Sequence, residues 1–395
     1  MARFMLGANY WPRSSAMRMW ERFDLGEIDA DFARMAALGM DVVRFFILWE
    51  DFQPAPDTVA TLAIERFMLV LDRVAANGLT AMPTLFTGHM SGCNYLPAWT
   101  LDRSTRSQRF RTITLGGESP YAAADFYTGE LLEAQRFFAR TIGERARDHG
   151  AILAWDLGNE FSNLRPPNSP AEGAHWSAAL TSDLFTSSNL PVTGGIHGED
   201  IAFERNIRPS SMCEPWAFAT MHGYPAYSAF ARSPDDPEVV PYLFEVTRSL
   251  SGKPVFFTEL GTPTCPPGVT SVGGHPCLAD EPAAVYARNV LPRLAERGAL
   301  GAMWWCWTDY AEDLYDTPPF DLAPHERQFG IVRADGTERP VARVIADFAR
   351  ERRPIVEPLR APMFDEAEHY ANLPQSVDSE YHAYCEAYVT AGTRA

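Results

Sequence analysis

The chain has 395 residues, and its 34 Lys and Arg stand against 51 Asp and Glu, a formal net charge of −17. That acidity, with no long basic run, argues against nucleic acid and an anionic membrane surface as partners and disfavours strongly anionic substrates, but leaves neutral ones open. A 46% apolar and 12% aromatic content belongs to a folded globular chain, and no run is long and apolar enough to span a bilayer.

In chain order, the opening "MARFMLGANYWP" has no sustained apolar h-region and runs directly into a strand, which predicts a cytoplasmic protein without a secretory leader. Apolar, strand-like runs then recur: "RFMLGANY", "DVVRFFILW", "LTAMPTLF", "AILAWDLGN", "LPVTGGIHG", "AFATMHGYP", "KPVFFTEL" and "LGAMWWCWTD". Between them lie amphipathic patterns such as "EIDADFARMAALG", "LAIERFMLVLDRVAANG", "ELLEAQRFFARTIGERARDHG" and "EPAAVYARNVLPRLAERG". These close on Gly39, Gly78, Gly150 and Gly298, as helix C-termini do. Eight strands alternating with helices predict an α/β fold, a (β/α)8 TIM barrel over residues 1–352 with elaborated βα loops. The rival doubly wound sheet usually carries a Gly-rich phosphate turn after its first strand, and "GANYWP" is not one. Inserts at 90–128, 161–172 and 260–281 lack apolar periodicity and read as loops walling a pocket. Residues 353–395 break the alternation and read as a C-terminal extension packed on the barrel, with "SVDSEYHAYCEAYVTA" as a short helix.

Nearly every strand ends in groups unsuited to a core: Asn9, Arg44 within its strand, His89, Asn159-Glu160, His197, His222 with Tyr224, Glu259 and Asp309. In a parallel barrel these ends meet at one face, where barrel active sites are built. Glu160 after strand four and Glu259 at the end of strand seven would face each other across the mouth. Taken singly, each reads equally well as a solvated loop acid. As a pair they suit glycosidic hydrolysis, in which one carboxyl protonates the leaving oxygen while the other attacks or stabilises the anomeric carbon. Arg44 would hold one carboxylate ionised, while apolar neighbours would push the other toward its neutral acid.

Six cysteines are scattered without CxxC pairs. Cys265 and Cys277 bracket "CPPGVTSVGGHPC"; a disulfide, or a metal held with His275 and Cys93, is the alternative to the free thiols that a reducing cytosol favours. No metal and no cofactor are expected. A metal-dependent barrel hydrolase would want clustered His and Asp ligands, often an HxH pair on an early strand, and "NYWP" supplies none.

The "NE" after strand four and the "TE" closing strand seven resemble clan A of the retaining glycoside hydrolases, and the resemblance covers about residues 4–350. Arg44 in "DVVRFFILWE", His89 in "TLFTGH", "HGYP" after strand six and the Trp-rich "MWWCWTD" look like glycoside hydrolase family 5. "GANYWPR" and "ILWEDFQP" are most similar to its exo-β-mannosidase and β-glycosidase members. The resemblance implies Glu160 as general acid/base and Glu259 as nucleophile, with Asn159 on the sugar 2-hydroxyl. It also implies Arg44 and Tyr224 bonded to Glu259, and His89 and His222 lining the −1 sugar pocket.

Alternation puts Trp305 and Trp307 on one face and Trp304 on the other, favouring Trp307 as the sugar platform, with Trp305 as the second candidate. Trp11 and Trp49 border the pocket or fill core. The expected partner is a short neutral β-linked oligosaccharide cut from its non-reducing end, with β-mannosidase action leading; self-association stays open. A β-glucosidase, an endo-acting member of the clan and a non-catalytic carbohydrate-binding barrel are the alternatives. The last would be favoured by loss of either Glu, and both are present.

Overall fold

The computed structural model describes residues 2–357 and 364–392. Eight strands form one parallel sheet: β1 (Met5–Tyr10), β2 (Val42–Leu48), β3 (Thr80–Thr87), β4 (Trp155–Asn159), β5 (Val192–Gly195), β6 (Ala219–His222), β7 (Val255–Leu260) and β8 (Gly301–Trp304). They neighbour one another in the order 5-4-3-2-1-8-7-6. A parallel bridge between His197 and His222 joins the β5 side to β6 and completes the ring. The strands are buried along nearly their whole length, as parallel strands between an inner core and outer helices must be. The expected (β/α)8 barrel is the observed fold.

Helices cover the outside, and their ends follow local chemistry. Asp24 caps Leu25–Ala37 by accepting from the Gly26 and Glu27 amides, and Ser169 caps Pro170–Ser188 through the Glu172 amide. Gly39, Gly78 and Gly298 take the left-handed conformation expected beyond a helix C-terminus. Gly150 does not: that helix stops at Arg145, and Asp148 takes the left-handed position instead. Between β5 and β6 the crossover shrinks to two short helices, Gly198–Ala202 and Pro209–Met212.

Inside the barrel, side chains two apart along a strand stack in layers. Val42, Met82, Phe256 and Met303 form an apolar plug at the bottom. One layer up, in phase with Val42 and Met82, come Arg44 and Thr84, with Asp156 opposite Thr84. A charged layer directly above an apolar plug fixes where the barrel stops being core and becomes a site.

The inserts are more structured than loops. After β3, segments His89–Met90, Cys93–Tyr95, Arg111–Thr114 and Gly117–Ser119 make a four-stranded sheet, and Leu101–Arg106 pairs with Tyr121–Ala123. After β7, Ser271–Val272 and His275–Pro276 pair as a small hairpin. Cys265 and Cys277 are disulfide-bonded across its base, which corrects the free-thiol expectation: the chain crosses itself there, the Cys265 amide donating to the Leu278 carbonyl at 2.9 Å. Cys93 lies apart on another insert and, like the remaining cysteines, is a buried free thiol.

Part of the tail, residues 358–363 and 393–395, falls outside the described residues. Helices Glu366–Ala371 and Gln375–Gly392 follow. They are joined to the barrel's flank by buried polar bonds: Tyr370 Oη to the Asp200 carbonyl at 2.8 Å, His369 Nε2 with the Ile201 carbonyl at 2.9 Å, and Tyr381 Oη to Asp236 at 2.7 Å. Among the described residues no helix is long and apolar enough to cross a membrane.

Just past β2, Glu50 is buried with one carboxylate oxygen unpartnered. Burial, reinforced by the charge of Asp51, pushes its pKa up to about 8, and burial with Glu21 pushes Asp51 up to about 7. In the unfolded chain both lose their protons near pH 4. The folded state therefore holds more protons between about pH 4 and about pH 8, and its stability must fall as pH rises through that window. A melting temperature that drops between about pH 5 and about pH 9 is expected, with Glu50→Gln flattening the drop. A Glu50→Gln variant that loses stability as steeply as the parent would free Glu50 from this role.

Candidate active site

The two carboxylates reach the mouth through irregular backbone. Simple alternation along β7 puts Phe256, Thr258 and Leu260 on one face and Glu259 on the other. A register shift on both sides of β7 reverses this: Met221 pairs with Phe257 but His222 with Glu259, and Phe257 pairs with Ala302 but Leu260 with Trp304. Such bulges re-aim a side chain, here Glu259 into the barrel mouth. On β4 a similar shift separates the Asp156–Thr193 and Asn159–Gly195 pairs and turns Asn159 inward beside Asp156. The strands close in so tightly there that a Cβ on Gly195 would lie 2.0 Å from the Gly158 carbonyl oxygen. Glu160 then takes a left-handed backbone, φ 47° and ψ 47°. For a non-glycine residue that costs about 1–2 kcal/mol and persists where the surroundings over-determine it.

Arg44 organises the floor. It is fully buried, and Nε donates to Asp156 Oδ2 at 2.8 Å, Nη1 to Glu259 Oε1 at 2.5 Å and to Asn9 Oδ1 at 3.0 Å, and Nη2 to Asn159 Oδ1 at 3.0 Å. Thr84 Oγ1 donates to the same Asp156 oxygen at 2.8 Å. The opposite face of Glu259 receives the Tyr224 hydroxyl at 2.6 Å. One guanidinium thus serves two buried carboxylates. Removing the guanidinium from this set would strand two buried carboxylates, a loss of about 3–5 kcal/mol.

Glu160 has different company. His222 Nδ1 lies 3.2 Å from Oε1, His197 Nδ1 3.7 Å and His89 Nε2 3.9 Å from Oε2, and Asn163 Nδ2 donates to Oε2 at 3.1 Å. Burial pushes the Glu160 carboxyl up, but the imidazoles of His197, His222 and His89 outweigh it and hold it below the usual carboxylate range. This corrects the expectation of an acid kept neutral by apolar neighbours. Burial in turn pushes the His89 imidazole down, against the pull of Glu160. His222 Nδ1 also lies 3.5 Å from Glu259 Oε1, so one imidazole stands between the two carboxylates. One ligand atom each from Glu160, His222 and Glu259 lie within 4.8 Å of one another, the metal-compatible trio among the described residues.

Of the sequence-predicted residues, Arg44, His89, Asn159, Glu160, His222, Tyr224 and Glu259 come together here. The tryptophans separate. Trp305 is buried beside the mouth, edge-on to Phe46 with centroids 5.9 Å apart, and Arg44 lies under the same Phe46 ring at 4.7 Å. Trp307 does not share that face. β8 ends at Trp304, so alternation no longer governs the next residues. Trp307 is fully buried against Arg34 of helix Leu25–Ala37, outside the barrel, so the favoured platform residue does not reach the mouth. Trp11 stacks on Phe46 at 5.1 Å, with its indole N–H unpartnered, whereas Trp49 is core, ringed by Phe86, Trp99 and Phe126. Asp309 is also not at the mouth; it accepts from the Gly330 amide at 2.8 Å and pairs with Arg339 at 2.5 Å, anchoring the insert after β8. Asp156 and Asn163 belong to the site without having been foreseen there, and Asn9 and His197, expected at the mouth without a role, join it as partners of Arg44 and Glu160. Asp156 had left a signal, a charge in the middle of an apolar run.

A guanidinium floor with two carboxylates facing across the C-terminal mouth of a barrel is an arrangement that glycosidic hydrolysis can use. Solved structures share the fold. The chain is similar to Op5Man5, an exo-β-1,4-mannosidase from Opitutaceae bacterium strain TAV5, at 25% identity and TM-score 0.73 over 89% of its length; it spans only 60% of that protein. It is also similar to GH5_18 from Streptomyces cattleya, solved with GlcNAc, at 21% identity and TM-score 0.80, covering 99% of this chain and 92% of that one. GH5_18 from Bifidobacterium longum subsp. infantis matches at 21% and 0.73, covering 91% and 80%. No protein-family model and no curated protein sequence matches the chain. The chain has the fold of the GH5-like glycoside hydrolases of clan A.

Proposed function

We propose that the chain is a retaining β-glycoside hydrolase that removes a neutral sugar from the non-reducing end of short β-linked oligosaccharides, with β-mannosides as its substrates. The observation that carries the reading is the approach of Glu160 and Glu259, oxygens within 4.8 Å, at the barrel mouth. Retention needs carboxyl groups about 5–5.5 Å apart, whereas inversion needs room for a water and about 6.5–9.5 Å. Arg44 and Tyr224 hold the two oxygens of Glu259 and aim it, as a nucleophile on the anomeric carbon requires. Glu160 then protonates the departing oxygen and, in the second half, deprotonates water. The surrounding imidazoles hold Glu160 below the usual carboxylate range, so it has to take up a proton before it acts as the acid; His222 Nδ1, 3.2 Å from Oε1, is the nearest imidazole. Asn159, fixed by Arg44 and by its own bond to the His89 carbonyl at 2.8 Å, offers an amide to the sugar 2-hydroxyl. Mannose as the sugar is supported by a similar exo-β-1,4-mannosidase and by a GH5_18 structure holding Manβ1-4GlcNAc. A β-glucosidase differs only in the orientation of one hydroxyl, and is the second reading.

A panel of p-nitrophenyl β-glycosides tests this. The β-mannoside is expected to turn over, with the β-anomer as first product by proton NMR and with rates unchanged by EDTA. An α-anomer as first product would replace retention with inversion, and loss of activity in chelator would make the Glu160–His222–Glu259 trio a metal site.

A further inference from the structure

Above the catalytic pocket a single carboxylate gathers the walls. Glu326, in the insert after β8, is 8% exposed. Ser91 Oγ, from the insert after β3, donates to it at 2.9 Å, and the Tyr227 hydroxyl, after β6, at 3.2 Å; the ring of its neighbour His325 stands 3.4 Å away. The disulfide-tied hairpin after β7 joins through His275, whose ring stacks on His325 with centroids 3.9 Å apart. Tyr227 meets His275 and His325 edge-on at 5.5 and 6.1 Å. Inserts from separate parts of the chain therefore converge on Glu326, though nothing in the catalytic steps uses it.

What they build together is an aromatic lip. The Tyr227 hydroxyl turns inward onto Glu326 while the residue remains 42% exposed, so its ring is offered to solvent next to a half-buried His275. The lip borders both carboxylates. The Tyr227 ring is 5.4 Å from that of Tyr224, which bonds Glu259, while Ser91, bonded to Glu326, follows by two residues His89, whose Nε2 lies 3.9 Å from Glu160. The leaving oxygen takes its proton from Glu160, so the departing group leaves past the carboxylates toward this lip. We infer that Tyr227 and His275 form the platform for the leaving sugar, a neutral pyranose, and that Glu326 is the positioning residue that holds this platform over the scissile bond. The inference rests on the glycosidase reading above. An aromatic ring offers the apolar C–H face of a pyranose a flat surface, and the half-exposed imidazole offers its rim a hydrogen-bond partner.

The test compares two substrates that share the cleaved sugar: Manβ1-4GlcNAc, whose leaving group is a ring, and β-mannosyl fluoride, whose leaving group is one atom. Tyr227→Ala and His275→Ala are measured on both, with Glu326→Gln as the positioning variant. His275→Ala leaves every hydrogen bond to Glu326 in place, so it guards against a misfolded Tyr227→Ala. For all of them kcat/KM on the disaccharide is expected to fall by about tenfold or more while the fluoride stays within about twofold. For Glu326→Gln the fall is expected mainly in KM, since the catalytic carboxylates keep their partners. Parallel losses on both substrates, or an unchanged disaccharide rate, would overturn the platform. If the unmodified chain cleaves neither substrate, the β-mannosidase reading itself fails and the platform for its leaving sugar falls with it.

Discussion

Glu259→Ala is expected to lower kcat on a p-nitrophenyl β-glycoside by about 10^4-fold or more, the scale on which enzymes lose a covalent nucleophile. The size follows from what the carboxylate does and from how it is held. Its two oxygens have separate partners, Arg44 Nη1 at 2.5 Å and the Tyr224 hydroxyl at 2.6 Å, which fix its angle of approach. Truncation leaves Arg44 still paired with Asp156 and bonded to Asn9 and Asn159, so the barrel floor keeps its main charge balance. Glu259→Gln is the sharper companion. It preserves the shape but gives the anomeric carbon an amide in place of a carboxylate, and should be nearly as inactive. Far-UV circular dichroism separates a lost nucleophile from a lost fold. Either variant within about tenfold of the parent would remove Glu259 from the chemistry.

How far this site can be read from residues alone differs from one to the next. Glu160 and Glu259 are visible because each is a charge at the end of an apolar strand-like run. Arg44 is visible because a guanidinium inside "DVVRFFILW" has no place in a core. The backbone that makes them useful is not visible. Counting by twos from Phe256 turns Glu259 away from the mouth, and only the bulge in β7 brings it back. Trp307 fails for the matching reason: alternation was extended beyond the point where β8 stops. The environment of Glu160 was also out of reach. His89, His197 and His222 follow or end three different strands and meet only when the barrel closes, so a carboxyl expected among apolar groups is instead ringed by imidazoles. Glu326 left no signal, since its partners lie on inserts whose mutual approach has no periodicity to betray it.

The imidazole ring around Glu160 makes its replacement the more discriminating experiment. On the proposed assignment, Glu160→Ala removes the proton donor of the first half-reaction, and the loss should scale with how badly the leaving group needs one. Natural disaccharides, which depart as poor alkoxides, are expected to fall by about 10^3-fold or more, whereas 2,4-dinitrophenyl glycosides, which depart unaided, should form the glycosyl-enzyme at nearly the parent rate. The second half-reaction then stalls, because water no longer meets a base, and azide should restore turnover since it needs none. The configuration of the azide product separates the two carboxylates. Attack on a glycosyl-enzyme carried by Glu259 comes from the Glu160 side and gives a β-glycosyl azide. In Glu259→Ala, azide would take the place of the missing nucleophile and give the α-azide. His222, His197 and His89 remain in the truncated variant, so it also asks whether an imidazole can stand in for Glu160. If one could, the disaccharide loss would be small and azide would add little, and the proton would have to be reassigned from the carboxyl to the ring beside it.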